Sequence, residues 1–134
     1  MPMFRQGSVG ATPVIAVPPL AAARAGTVNP AGGLSASIDG TNYKSGTLVV
    51  YVGNMTATTG SCAAKVQASA TSGGTYADIS GAAVAGFGPS DDNTVQYVDF
   101  DFPDGKPFVQ VVLTSGAATD VTSAMVILHG DMRV

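Results

Sequence analysis

Side chains that ionise, ligate metals or attack carbonyls are scarce in this chain. Its 134 residues hold one histidine, His129, one cysteine, Cys62, and nine acids, all of them aspartate. His129 lies two positions before Asp131 among many serines, but no Gly-x-Ser-x-Gly elbow exposes a nucleophile, so the pair reads as a strand end near solvent. A single His and a single Cys are too few for a zinc site. The one acidic concentration is Asp91, Asp92, Asp99, Asp101 and Asp104. Asp99 and Asp101 stand two residues apart, on one face of a strand, and with Asp104 they could offer hard oxygens to Ca²⁺. The spacing is not that of an EF-hand, and outward aspartates also solvate a sheet face and discourage edge pairing. Glycine pairs fall in turns with no following helix or lysine, so there is no phosphate loop. The expectation is no enzyme, no catalytic residue and no cofactor, with a metal candidate confined to Asp99, Asp101 and Asp104.

Composition narrows the partners. The formal charge is -3, and Arg5, Arg24, Lys44, Lys65, Lys106 and Arg133 are scattered, which argues against nucleic acid. No apolar run reaches the length of a membrane span. Lone Cys62 cannot close an intrachain disulfide and reads as a small packing residue. Only 11% of residues are charged while 46% are apolar, so the chain can build a core. Glutamate is absent and Gly, Thr, Ser, Val and Ala dominate, which favours strands joined by turns.

The strongest strand signal is TVQYVDFDFPDGKPFVQVVL, Thr94 to Leu113. Val98, Phe100 and Phe102 alternate with Tyr97, Asp99 and Asp101, then Pro103-Asp104-Gly105-Lys106 turns the chain. Phe108 to Leu113 returns with Phe108, Gln110 and Val112 on one face and Val109, Val111 and Leu113 on the other, which reads as a hairpin. Leu34, Ala36 and Ile38 alternate into an Asp39-Gly40 turn. TLVVYV, Thr47 to Val52, is apolar in both phases, which predicts a central strand covered on both faces. Cys62 to Ser69 puts Ala64, Val66 and Ala68 inward and Lys65, Gln67 and Ser69 outward. Ser72-Gly73-Gly74 turns into a short strand, Thr75 to Ile79, anchored by Tyr76. Val121 to His129 carries some helical spacing, but its β-branched residues and strand-like length favour a closing strand. About seven or eight short strands with turns at this spacing predict an all-β, two-sheet antiparallel β-sandwich. No long internal repeat supports a propeller.

Residues 1–32 have a different character, so the chain divides into an extended N-terminal arm, 1–32, and a sandwich domain, 33–134. Pro2, Pro13, Pro18, Pro19 and Pro30 interrupt the arm, and the paired prolines with Arg24 argue against reading VIAVPPLAAARA as a secretory leader. Phe4, Val14, Ile15, Val17 and Leu20 give it an apolar content that a plain linker lacks, which marks them as the partner-binding residues of the arm. On this reading, removal of Met1 to Gly32 leaves the sandwich folded and abolishes attachment to a partner.

The proline-broken arm through Gly26-Thr27-Val28-Asn29, the strand VQAS followed by SGGTYADI, and the late PFVQVVLTSG strand together resemble small virion proteins of tailed bacteriophages, particularly capsid decoration or cement proteins. The resemblance spans most of the chain. It implies a location on the capsid exterior after synthesis in the host cytoplasm, contact with the major capsid protein, and self-association as a homotrimer or other homo-oligomer. It carries over no catalytic residue. Two alternatives stand beside it: a carbohydrate- or receptor-binding sandwich using Tyr43, Tyr51, Tyr76 and Tyr97, or a tail or head-completion structural protein.

Overall fold

The computed structural model describes residues 11–17, 26–28, 37–54, 62–115 and 122–130. They form β1 (Ala11–Val17), β2 (Gly26–Val28), β3 (Ile38–Asp39), β4 (Tyr43–Val52), β5 (Cys62–Ser69), β6 (Ala77–Phe87), β7 (Thr94–Asp101), β8 (Phe108–Ser115) and β9 (Thr122–Gly130). Among the described residues a 3-10 turn, Pro89–Asp91, separates β6 from β7. The C-terminal segment is the strand its β-branched residues predict, and the molecule is an antiparallel β-sandwich. The first sheet runs β1-β9-β4-β7 and the second β2-β8-β5-β6, with β3 also paired to β8. Since β5 covers Phe108 to Thr114 along one edge of β8, β2 and β3 share the other edge end to end.

Strand pairing is nested about the tip of the β5-β6 hairpin. Outside that pair lies β4 with β7, then β2 and β3 with β8, then β1 with β9, and successive pairs alternate between the sheets. If β2 and β3 are taken as one interrupted strand, this is the eight-strand order of a double-sheet jelly roll. Closure comes from β4 against β9 and β5 against β8.

Period-two alternation builds the core. Leu48, Val50 and Val52 of β4 and Val126 and Leu128 of β9 face Ala64 and Val66 of β5 and Val109, Val111 and Leu113 of β8, all fully or almost fully buried. Phe87 and Phe100 close the ends, and Phe100 meets Phe102 edge to face at 5.6 Å between ring centroids. Inward and outward assignments predicted for β5 and β7 hold, except that Ser69 is buried.

Three expectations are corrected. The Thr94–Leu113 stretch is not a hairpin, because β7 pairs with β4 in the first sheet and β8 with β5 in the second. Pro103 and Pro107 flank the turn and lack the N–H groups a hairpin ladder would need. Phe102 N–H still donates to Lys44 O at 3.0 Å, and beyond the turn Pro107 O accepts from Gly40 N–H at 2.8 Å, so the four residues Pro103 to Lys106 carry the chain across. Next, β4 is central but covered on one face only, since Val49 is half-buried and Tyr51 is 40% exposed. Finally, the partner of β5 is a strand of 11 residues that begins after Tyr76 and runs through the glycine-rich GAAVAGF. Its register against β5 slips between Lys65 and Gln67, and Gly81 and Gly86 both take φ of +80°, so glycine here makes bulges rather than ending the strand. Leu34 and Ala36 lie outside the described residues.

Parts of the first 32 residues belong to these sheets. In β1, Ala11 lies opposite His129 and Val14 opposite Val126, and β2 lies against Leu113 to Ser115. Pro13 sits in β1 at the sheet edge, where a missing donor is tolerated. Thr12 Oγ1 and Tyr43 OH share a hydrogen bond at 2.9 Å.

Candidate functional site

Because β4 is uncovered on its outer face, the first sheet presents cross-strand rows of side chains to solvent. Tyr97, Val49 and Met125 stand in one row across β7, β4 and β9, and Val95, Tyr51 and Ser123 in the next. Tyr97 is 70% exposed and Val95 59%, and they are the large apolar side chains of the described residues most open to water, with Tyr51 beside them. Val49 and Met125 are half-buried among them, and Tyr51 OH donates to Asn93 Oδ1 at 3.3 Å. The result is a flat band of aromatic and aliphatic groups that costs free energy while hydrated and gains it when another surface excludes the water.

A polar row borders this band. Thr47 Oγ1 donates to Asp99 Oδ1 at 2.6 Å and sits 2.8 Å from His129 Nε2. With the hydroxyl proton committed to the carboxylate, the imidazole Nε2 is the donor to Thr47, so no base faces the hydroxyl and the row has no nucleophile. An apolar centre with a polar rim is the anatomy of a protein–protein contact.

Asp101 and Asp104 line a cleft of about 490 Å³ at one end of the sandwich with Lys44, Lys106, Tyr43 and Phe102, whereas Asp99 is engaged by Thr47 outside it. The structure therefore does not bring the three aspartates together, and no three His, Cys, Asp or Glu side chains converge among the described residues. All three do lie on or just beyond β7, an edge strand, where negative charge opposes unwanted pairing. Of the arm residues, Val14 packs against the core of its own sandwich, Ile15 and Val17 belong to β1, and Phe4 and Leu20 lie outside the described residues, as does Asp131.

The outer face of the second sheet carries a ladder of polar side chains. Gln110, Gln67 and Asp78 lie directly across β8, β5 and β6. Gln110 Nε2 donates to Gln67 Oε1 at 2.7 Å, Gln67 Nε2 donates to Asp78 Oδ1 at 2.7 Å, and Lys65 Nζ reaches Asp78 Oδ2 at 3.0 Å. Gln67 and then Lys65 hold the Asp78 carboxyl below its ordinary value by bonding to the charged form. Sequence reading missed the ladder because Gln110 and Gln67 belong to different strands whose pairing no local pattern reveals. A cleft of about 420 Å³ opens beside it, lined by Ser37, Gln67, Ser72, Gly73, Gly74, Tyr76 and Gln110.

No protein-family model and no curated protein matches the chain. Among solved structures it is similar to the SPBc2 prophage-derived protein YomS, with a TM-score of 0.51 and 16% identity over 88% of this chain and 92% of that one. It is also similar to a CBM4 structure, at TM-score 0.47 and 15% identity over 78% of this chain and 61% of that one. A third likeness is to infectious bursal disease virus, Gx strain, at TM-score 0.41 and 18% identity over 92% of this chain and 32% of that one. At these identities the likeness to YomS establishes a shared fold, nearly end to end.

Proposed function

We propose that this chain is a virion structural protein, a decoration or cement protein that docks on the outer surface of an assembled phage head and stabilises it. The observation that carries this reading is the uncovered apolar band of Tyr97, Val95 and Tyr51 on a sheet face with a polar border. The end-to-end likeness of fold to a prophage-derived protein supports it. The major capsid protein is the proposed partner, and copies of the chain are proposed to associate as a homotrimer or another closed oligomer, since an isologous or cyclic contact would let one patch serve every copy. The open edge of β1 is the proposed route by which the arm engages neighbours, by strand addition.

The test is co-sedimentation with purified phage heads stripped of this protein. Wild type is expected to pellet with the heads. The double variant Tyr97→Ser, Val95→Ser is expected to keep its melting temperature, since exposed substitutions usually change stability by about 0.5 kcal/mol or less, and to lose occupancy. Full occupancy by the folded double variant would refute the assignment of this face.

A further inference from the structure

The cleft beside the glutamine ladder differs in its lining from the cleft that holds Asp101, Asp104, Lys44 and Lys106. None of its seven described residues is charged: they give two side-chain amides, three hydroxyls from Ser37, Ser72 and Tyr76, and the backbone of Gly73 and Gly74. Its volume falls within the range of about 300–1,000 Å³ usual for small-molecule sites.

The ladder fixes which atoms remain for a ligand. Asp78, as a carboxylate, can only accept, so Gln67 must turn its NH₂ towards Asp78 and its carbonyl towards Gln110. Gln110 must then offer its NH₂ to Gln67, which leaves Gln110 Oε1 at the end of the chain as an acceptor. That side chain is only 5% exposed, and no described residue donates to Oε1. A buried acceptor that no described residue matches favours a donor from elsewhere, and a ligand hydroxyl entering the cleft would supply one. On the other wall Tyr76 OH donates to Ser72 O at 3.1 Å, so its bond with Ser37 Oγ is one in which Ser37 donates and keeps lone pairs free. Two hydrogen bonds thus hold the Tyr76 ring, half-buried, as a rigid wall with an apolar face.

We propose that this cleft is a binding site for a neutral polyhydroxylated ligand, a sugar ring at the end or within the chain of an uncharged glycan. Oriented amides and hydroxyls match the alternating donors and acceptors of such a ring, and the aromatic wall matches its C–H face. Among the described residues the lining offers no ammonium or guanidinium to a phosphate, sulfate or carboxylate, so a neutral ligand is the better match. Situated on the second sheet, the site is separate from the apolar band on the first, and either assignment can fail without the other.

The full-length protein should be titrated with neutral oligomers of glucose, galactose and N-acetylglucosamine, and with glucuronic acid oligomers as the anionic arm, following side-chain amide NMR signals. At least one neutral oligomer is expected to shift the Gln67 and Gln110 NH₂ resonances saturably, with the anionic arm silent. Gly73 faces open space, with no atom within 4 Å of an added Cβ, so Gly73→Phe is expected to leave the fold intact and weaken binding tenfold or more. Gln110→Leu is expected to weaken it similarly while removing the unmatched acceptor. No saturable shift with any neutral oligomer, a response to the anionic arm alone, or binding that Gly73→Phe leaves unchanged would each overturn the proposal.

Discussion

At Gly46 the backbone of β4 passes beneath the ring of Phe100, its partner across β7. A Cβ added there would stand 2.7 Å from Phe100 Cζ and 3.2 Å from Ile127 O, and Phe100 is too deeply buried to move aside freely. Gly46→Ala is therefore expected to destabilise by about 1–3 kcal/mol, the usual cost of overpacking, as chemical denaturation would read it. Truncating the core beside it at Leu48→Ala should cost about 2–5 kcal/mol, the usual range for a cavity. Asp78 gives a pH signature. Its folded-state carboxyl titrates below the ordinary value because Gln67 and Lys65 bond to the ionised form, so its contribution is present above the unfolded pKa and lost as pH falls through the folded one. Asp39, held down by the Thr41 hydroxyl and backbone N–H, acts in the same direction. Urea denaturation across the acidic range should show stability falling with pH, and Asp78→Asn should flatten that fall. An equally steep fall in the variant would remove Asp78 as its source.

Between β5 and β6 the same glycine chemistry has another meaning, since Gly81 takes φ of +80° with nothing within 4 Å of an added Cβ. Gly81→Ala should then cost about 1–2 kcal/mol through backbone strain alone, whereas Gly73→Ala, in open space without positive φ, should be nearly neutral. Melting curves of the two variants side by side would check the contrast. Strand existence was readable in the sequence because alternation is local: Val98, Phe100 and Phe102 inward, Asp99 and Asp101 outward, and a turn at Gly105, whose φ is +73°. What alternation does not carry is which strand pairs with which. The stretch around Pro103 and Pro107 looks like a hairpin to any local rule, and only the two absent N–H groups hint that the chain changes sheets there. The apolar band was half legible, since TLVVYV shows apolar residues in both phases. Its meaning inverted because β4 is covered on one side only, so Tyr51, expected under a second layer, joins the exposed band beside half-buried Val49. The glutamine ladder was not legible, because Gln67 and Gln110 are brought together only by the β5-β8 register.

For the molecule as a whole, nested pairing sets both folding and assembly. Ala11 must find His129 and Gly26 must find Ser115, so loop closure comes late and the domain is expected to fold in milliseconds to seconds, as all-β domains of high contact order do. Stopped-flow refolding that completes in microseconds would contradict this topology. Deleting Met1 to Gly32 strips β1 from β9 and β2 from β8, leaving unpaired edges on both sheets. The truncated chain is accordingly expected to melt lower and aggregate, rather than remain an intact body that merely fails to attach. Circular dichroism melts with light scattering would tell the two apart. The proposed role is that of a shell component docked through the apolar outer face of the first sheet. Its most direct measurement is the copy number and position of the chain in purified particles by cryo-electron microscopy with quantitative proteomics. The account predicts hundreds of copies on the capsid exterior, with Tyr97 and Val95 buried against a neighbouring subunit. A handful of copies at a vertex or tail, or full occupancy with that face still open to solvent, would contradict it.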